Sequence, residues 1–596
     1  MAAGPSAAGT SDADRCTLGA MTDAPTRPSR LRQVTPDLPI VLLGAGAAVI
    51  LMVLGRSMTF WQDEWGSITF AGGPVDFFRP VNEHWSTIPL LLYRATFSVI
   101  GLGSYLPYLA EVIVLHLVAV TATYLLLRPR TGRLVATIAC VPMLLLGSGS
   151  ENLFWAFQTG FVGSVAFGLL ALVLLERSGR RSLVAAAGLL LASLMSSGMG
   201  LFFLFAAAVR TVLDSEIRRR VIATIPPAVA YGIWLLTVGS RPVTQEAHPG
   251  LTEVARFVAR GVSHAVGAFT GLGFLPRGDL VGLAVFVAVL VATGWAVVAR
   301  RRPPALAAAA LLAIVAMYAT IGLVRAGLPS DFATRSRYVY VAAFLLILAA
   351  ADWLALLREW VPDLPSARPV RLGATVAFLV ILTAANLAAI GPIRAQFQSN
   401  ADLTRAYVAL ATAHRNDGWI DPDPGLLLGM PALPVLLATI DRFGSPDRDR
   451  FVPAVARNPG NEARENALLR LVGRGFRAET GTANGAALPI ELVALAGASA
   501  TWDAGCPTIA DIGAKGTVTV AVPTGSRLRV TASASVAARA VLGLAFPPTR
   551  PIDLSLAAGV PLDVVVPEMG DAAIWRVRLE LSGAQGTIEV CRVDGH

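Results

Sequence analysis

The chain has 596 residues, 54% of them hydrophobic and only 15% charged, with a mean hydropathy of +0.61; this apolar fraction excludes an ordinary water-soluble enzyme, a disordered chain and a disulfide-framework fold. Its 49 basic residues are 48 arginines and Lys515, against 40 acidic residues, for a net charge of +9. A pI of 9.9 would suit nucleic acid, but the arginines lie in short clusters between apolar runs, the pattern of cytoplasmic loops in a polytopic membrane protein, and no nucleic acid partner is expected.

Residues 1–36 are polar and rich in Pro, Ser and Ala, and read as a disordered cytoplasmic tail, with Met21 an alternative start. The apolar run at 38–58 has no A-x-A pattern behind it and reads as a retained signal-anchor. Further apolar runs fall at 105–127, 134–148, 159–175, 182–195, 199–213, 219–239, 279–299, 304–324, 338–357 and 371–391, predicting an α-helical membrane domain of eleven spans over 37–392. Alternate loops carry the arginine clusters: Arg128, Arg130 and Arg133; Arg177, Arg180 and Arg181; Arg210 with Arg218 to Arg220; Arg300 to Arg302; Arg358, Arg368 and Arg371. With Arg15, Arg27, Arg30 and Arg32 they place the N-terminus inside and the C-terminus outside a multi-pass plasma-membrane protein. Residues 86–101 (STIPLLLYRATFSVIG) are apolar enough for a twelfth span. Counting them would invert every later basic loop, and Arg94 lies near their middle, so they read as an interfacial or re-entrant helix in a long first outer loop, 59–104.

That loop contains TFWQDEWGSITF and FFRPVNEHWSTIP, bringing Asp63, Glu64, Arg79, Asn82, Glu83 and His84 among Trp61, Trp65, Phe77, Phe78 and Trp85. Charges at a membrane face are expensive without a role or partner. Adjacent carboxylates flanked by tryptophans suit a general-base site; the alternative is an aromatic belt with solvated acids. In PYLAEVIVLH, Glu111 and His116 lie on different helical faces, Glu111 placed to line an outer cavity and His116 to pack. Glu151 and Asn152, before WAFQ, suit sugar binding on a short outer loop, with helix capping by Asn152 the alternative. The SSGMG at Ser196 to Gly200 reads as a tight turn, since no GK[ST] follows it. Arg325 and PSDFATRSRYVY, with Asp331, Arg335, Arg337, Tyr338 and Tyr340, stand on the outer side, opposite the one arginine orients. Paired guanidinium groups there suit a phosphate or pyrophosphate leaving group, or else snorkel to lipid phosphate. No HExxH, paired CxxC, Walker or Rossmann pattern supports zinc or soluble-nucleotide chemistry.

After Pro392 the composition changes. Residues 393–596 hold 19 basic and 20 acidic residues, so the positive excess belongs entirely to the apolar part. Residues 393–487 read as helix and loop, and 488–596, with GTVTVAV, SRLRVTASA, LDVVV, WRVRLEL and GTIEVCRV, as a small antiparallel β-sandwich. Cys16 is in the tail and Cys140 in a span, whereas Cys506 and Cys591 bracket the β-rich segment. A disulfide between these two fits an oxidising compartment and agrees with the arginine topology. The domain either contacts carbohydrate or caps the outer face.

A first span followed by WQDEW in a long outer loop with an interfacial helix, about eleven spans, an outer-loop SRY and an extracytoplasmic C-terminal domain together resemble the GT-C fold glycosyltransferases, over residues 38–392. These are polytopic enzymes using polyprenyl-phosphate sugars, among them protein O-mannosyltransferases and actinobacterial mannosyl- and arabinofuranosyltransferases. The resemblance implies transfer of a sugar from a polyprenyl-phosphate donor to a cell-envelope glycan, lipid or protein, with inversion. Asp63 is then the catalytic base and Glu64 the second member of its pair; Arg337 and Arg335 hold the donor phosphate, and His84 contacts it or orients the acceptor. Asn82, Glu83, Trp65, Tyr338, Glu111 and Glu151 are further expected substrate contacts. The expected partners are the lipid-linked donor, the envelope acceptor and membrane lipids; no metal ligand is assigned and a divalent cation is left open. Two other classes stay in view: a transporter or flippase, for which midplane charges and inverted repeats would be expected, and a non-catalytic glycan-binding scaffold.

Overall fold

A computed structural model of the chain describes residues 37–71, 77–214, 217–239, 249–299, 304–327, 330–360, 368–421, 430–446, 462–481, 486–543, 550–568, 574–582 and 586–593. The tail, with Cys16 and its arginines, and the cluster Arg300 to Arg302 lie outside them. The helices in order are α1 (Leu38–Gly55), α2 (Asp63–Ala71), α3 (Thr87–Ile100), α4 (Leu106–Thr131), α5 (Arg133–Leu144), α6 (Thr159–Leu175), α7 (Arg180–Leu194), α8 (Gly200–Leu213), α9 (Ile225–Trp234), α10 (Leu251–Thr270), α11 (Gly278–Ala299), α12 (Ala305–Arg325), α13 (Ser336–Trp360), α14 (Arg368–Ala413), α15 (Leu433–Phe443) and α16 (Glu462–Leu471).

Among the described residues, eight helical segments are long and apolar enough to cross a membrane: 38–55, 106–131, 156–175, 218–239, 278–299, 305–325, 336–356 and 376–413. Their exposed positions are apolar too, such as Val41, Val49 and Val53 on α1 and Val285 and Val291 on α11, so lipid and not water is the solvent that suits them. The other three expected spans are also helices, but α5, α7 and α8 have only 12, 15 and 14 residues. At 1.5 Å per residue each falls short of a hydrocarbon core of roughly 30 Å. The stretch at 86–101 is a separate helix of 14 residues, α3.

The helix α10 has no counterpart in the reading of apolar runs. In α10, Val254, Phe257, Val262, Val266 and Phe269 are buried while Glu253, Arg256 and Arg260 are exposed, so its apolar residues form a stripe and never a run. The stripe packs on α12 and α13.

Paired charges pin one end of the bundle. Asp37, just before α1, accepts from the Tyr124 hydroxyl at 2.6 Å and from Arg128 at 3.0 Å. Arg130 bridges Glu176 at 2.7 Å and Asp352 at 3.3 Å, and Arg210 reaches Glu176 at 3.1 Å. The arginine-bearing ends of α4, α6, α8 and α13 thus share one face. His116 packs inside, with Nδ1 3.0 Å from the Tyr340 hydroxyl.

At the opposite, distal face α14 runs on through Pro392 to Ala413, so the compositional change there is no break in secondary structure. Its extension holds the end of α1 and the residues just after it: Arg394 donates to the Leu54 carbonyl at 2.9 Å, and buried Arg405 to the Met58 carbonyl at 3.1 Å. Strands begin at Arg477, ahead of residue 488. One antiparallel sheet runs Arg477–Thr480, Leu562–Val565, Arg527–Ala532, Ile588–Val593, Cys506–Ala510, Ser499–Asp503, with Ala487–Leu488 also on Ile588–Val593. The other runs Glu491–Ala496, Gly516–Pro523, Ile574–Leu581, Val536–Gly543, Arg550–Leu556. Alternating Val518, Val520 and Val522 face the core with Val577, Leu528 and Val530, as period-two burial requires. The Cys506–Cys591 disulfide, with Cα atoms 5.0 Å apart, joins two neighbouring strands.

Candidate active site

The site begins where α2 starts. Gln62 has φ of 48°, which turns the chain sharply into Asp63, Glu64 and the first turn of the helix. Consecutive residues on a helix point about 100° apart, so the adjacent carboxylates part company. Glu64 goes inward and is fully buried. It accepts from the Tyr93 hydroxyl at 2.7 Å, the Tyr105 hydroxyl at 3.0 Å, the Phe157 N–H at 3.1 Å and the Trp61 N–H at 2.7 Å. Burial pushes its pKa up to about 7 against the pull of those hydrogen bonds. The expectation that Glu64 joins Asp63 as a reacting pair is therefore corrected: it ties together α2, α3, the start of α4 and the turn at 156–158.

Asp63 goes outward into a cavity of about 400 Å³ that also receives Asn82, Glu83, His84, Arg325, Arg337 and Tyr338. Its opposite wall is apolar, drawn from helices of the membrane domain: Phe161 of α6, Phe202 of α8 and Ile321 and Val324 of α12. The polar side is delivered by a tight turn. Val81 and His84 exchange both backbone hydrogen bonds at 3.0 Å, and Asn82 and Glu83 between them have φ of 46° and 70°. Two left-handed residues make a two-residue hairpin loop, a place that favours Asn-Gly; Glu at its second position carries strain of about 1–3 kcal/mol. The turn aims Asn82 Nδ2 at Asp63 Oδ2, 2.8 Å away, and Glu83 at Arg325, 3.7 Å away. His84 rests on Gly198 of the SSGMG turn, where a Cβ would sit 2.9 Å from His84 Nδ1, so the close approach requires glycine there. Burial, then the charges of Arg325 and Arg337, lower the His84 pKa to about 4. The imidazole is accordingly neutral at pH 7, and its hydrogen bonds are those of a neutral ring.

Arg337 sits in the first turn of α13. Its guanidinium lies 3.4 Å from Glu151 Oε1, its own N–H donates to Glu151 Oε2 at 3.2 Å, and its Nε is buried without a protein partner. Asn152 is fully buried and donates to the Arg337 carbonyl at 3.2 Å, so it braces α13 and caps no helix. Phe332 is the residue that sequence reasoning passed over: Arg325, Arg335 and Arg337 lie 5.2, 5.5 and 5.5 Å from its ring centroid. An aromatic face gathers three like charges that would otherwise repel. Gln158 is also new, a buried cavity residue whose Oε1 has no protein partner; its burial comes from chain segments far away in sequence.

Other expected contacts fall elsewhere. Arg335 pairs with Asp331 at 3.6 Å and, with Glu151, lines a second cavity of about 800 Å³ on the other side of Arg337. Trp65 is wholly buried against Phe60, at 6.0 Å between centroids, and does not reach either cavity. Glu111 hydrogen-bonds Thr96 between α3 and α4 and lines neither. The geometry thus brings together Asp63, Asn82, Glu83, His84, Arg337 and Tyr338, and leaves out Glu64, Trp65 and Glu111.

No protein-family model and no curated protein matches the chain. Among solved structures it is similar to ArnT from Cupriavidus metallidurans bound to undecaprenyl phosphate, at 15% identity over 70% of this chain and 88% of that one, TM-score 0.42. It is similar also to the Archaeoglobus fulgidus oligosaccharyltransferase tethered to an acceptor peptide, at 15% identity over 69% and 59% of the two chains, TM-score 0.37. A third is the arabinofuranosyltransferase AftD from Mycobacteria, at 14% identity over 94% and 61%, TM-score 0.30.

Proposed function

We propose that the protein is a multi-pass membrane glycosyltransferase that moves a sugar from a polyprenyl-phosphate donor to an acceptor at the distal, extracytoplasmic face. One observation carries the reading: a carboxylate, Asp63, and two guanidinium groups, Arg325 and Arg337, share a cavity with an apolar wall that Phe161, Phe202, Ile321 and Val324 of the membrane domain supply. Such a wall suits a lipid tail, and the arginines suit its phosphate.

Asn82 engages one oxygen of Asp63 and leaves the second to take the proton from an acceptor hydroxyl. The acceptor oxygen then bonds to the anomeric carbon as the bond from that carbon to the phosphate oxygen breaks. The electron pair leaves on the phosphate, whose charge Arg325 and Arg337 stabilise. Neutral His84 offers one hydrogen bond without adding charge. A single displacement inverts the anomeric centre.

The test is transfer of labelled mannose or arabinose from its polyprenyl phosphate to envelope extract by the full-length protein in nanodiscs. Asp63→Asn should lower the rate by roughly 10² to 10⁴, with expression and thermal midpoint retained; wild-type activity in that variant would overturn the assignment.

A further inference from the structure

We infer that the larger second cavity is a carbohydrate cleft, taking a neutral glycan by ring stacking on Trp61 and Phe397 and by hydrogen bonds to Gln62, Gln396 and Asn400. At about 800 Å³ it is twice the size of the first and lies within the range of small-ligand sites. Its aromatic corner is assembled from distant parts of the chain. Trp61 comes from the first long loop and Phe397 from α14 beyond the membrane spans, with ring centroids 5.6 Å apart and planes at 81°; Trp155 closes the corner, 5.4 Å from Trp61. Trp61 and Phe397 are only half-buried, so ring surface stays open to a ligand. Sugar rings present C–H patches that lie flat on aromatic faces, whose electron density attracts them.

The polar lining fits the same chemistry. Three side-chain amides offer paired donors and acceptors to neighbouring hydroxyls. The Trp155 indole N–H is buried without a protein partner, a donor awaiting an acceptor. Its acids and arginines pair with one another, Glu151 with Arg337 and Asp331 with Arg335, and the amides and aromatic rings are left to meet a ligand. Gln62 lines this cleft while the next residue, Asp63, lines the first cavity, and Arg337 lines both. A glycan in the cleft would end beside the carboxylate. Resting on the transferase reading, this makes a carbohydrate the acceptor.

The test uses the full-length protein in nanodiscs, titrated with mannotetraose, arabinotetraose and cellotetraose and, for contrast, a neutral peptide, and read by tryptophan fluorescence. At least one oligosaccharide should bind, Phe397→Ala should weaken it roughly tenfold or more, and Asn400→Ala several-fold. Size-exclusion profiles and thermal midpoints control for folding, and Asn400→Ala serves if Phe397→Ala does not fold. Arg539→Ala, on the exposed face of the sandwich, should keep the oligosaccharide affinity. No binding by the three oligosaccharides, equal binding in both cleft variants, or binding of the peptide alone would overturn the cleft. Binding that these variants weaken, without transfer to the bound glycan from any polyprenyl-phosphate donor, would instead support the cleft and sink the transferase reading.

Discussion

Glu64 holds four hydrogen-bond donors in a space from which water is excluded, and its folded pKa is raised to about 7. The unfolded carboxyl titrates near 4.5, so between about pH 4.5 and 7 the folded protein binds the extra proton. Folding is therefore favoured at the acid end of that window and loses stability as pH rises through it, by on the order of 3 kcal/mol. The wild-type thermal midpoint in nanodiscs, measured against that of Glu64→Gln, which cannot ionise, should fall from pH 5 to pH 7.5; a constant difference would mean that Glu64 does not titrate. His84 runs the other way. Its folded pKa is lowered to about 4, so it stays uncharged through the same window, and what stability it contributes is lost only as pH falls from 6.5 toward 4. Residue types in the sequence pointed to both groups, but the burial that separates their roles depends on Tyr93, Tyr105, Phe157 and Arg325, which only folding brings near.

The hairpin turn from Val81 to His84 is the element on which the polar side of the cavity depends. Asn82 both tolerates the left-handed backbone and donates to Asp63, and one substitution separates these tasks. Asn82→Gly keeps the turn but removes the donor, so kcat should fall roughly tenfold while KM and the thermal midpoint hold. Unchanged kcat would reduce Asn82 to a turn residue. Apolar runs located the helices of the membrane domain well, since length and hydropathy are local properties of the chain. They also placed α7 and α8 to within two residues, and overran only the end of α5, which stops at Leu144 and not at 148. They missed α10, whose period of 3.6 is invisible to a search for continuous apolar residues.

At the scale of the whole molecule, α14 packs on α16, which in turn meets the sandwich strand Val536–Gly543, and the Cys506–Cys591 disulfide staples the sandwich alone. Closing a loop with a sequence separation of 85 should contribute about 2–4 kcal/mol, mainly by restricting the unfolded chain. Cys591→Ser should lower the unfolding temperature in nanodiscs, and reductant should lower that of the wild type but not of the variant; an equal effect on both would show that this bond is not what reductant acts on. Cys140 is buried and should stay unlabelled by maleimide in the folded protein. Composition, arginine placement and apolar length were enough to read a polytopic helical membrane protein with a β-rich C-terminal domain, because burial in lipid is dictated residue by residue. The same text singled out Asp63, His84 and Arg337 by residue type. Which carboxylate faces a cavity, which arginines Phe332 gathers, and how Trp61 meets Phe397 were decided only by the tertiary structure. A single turn of helix sets the first, ring contacts within seven positions of Phe332 the second, and a contact between residues more than three hundred positions apart the third; none leaves a periodic trace in the sequence.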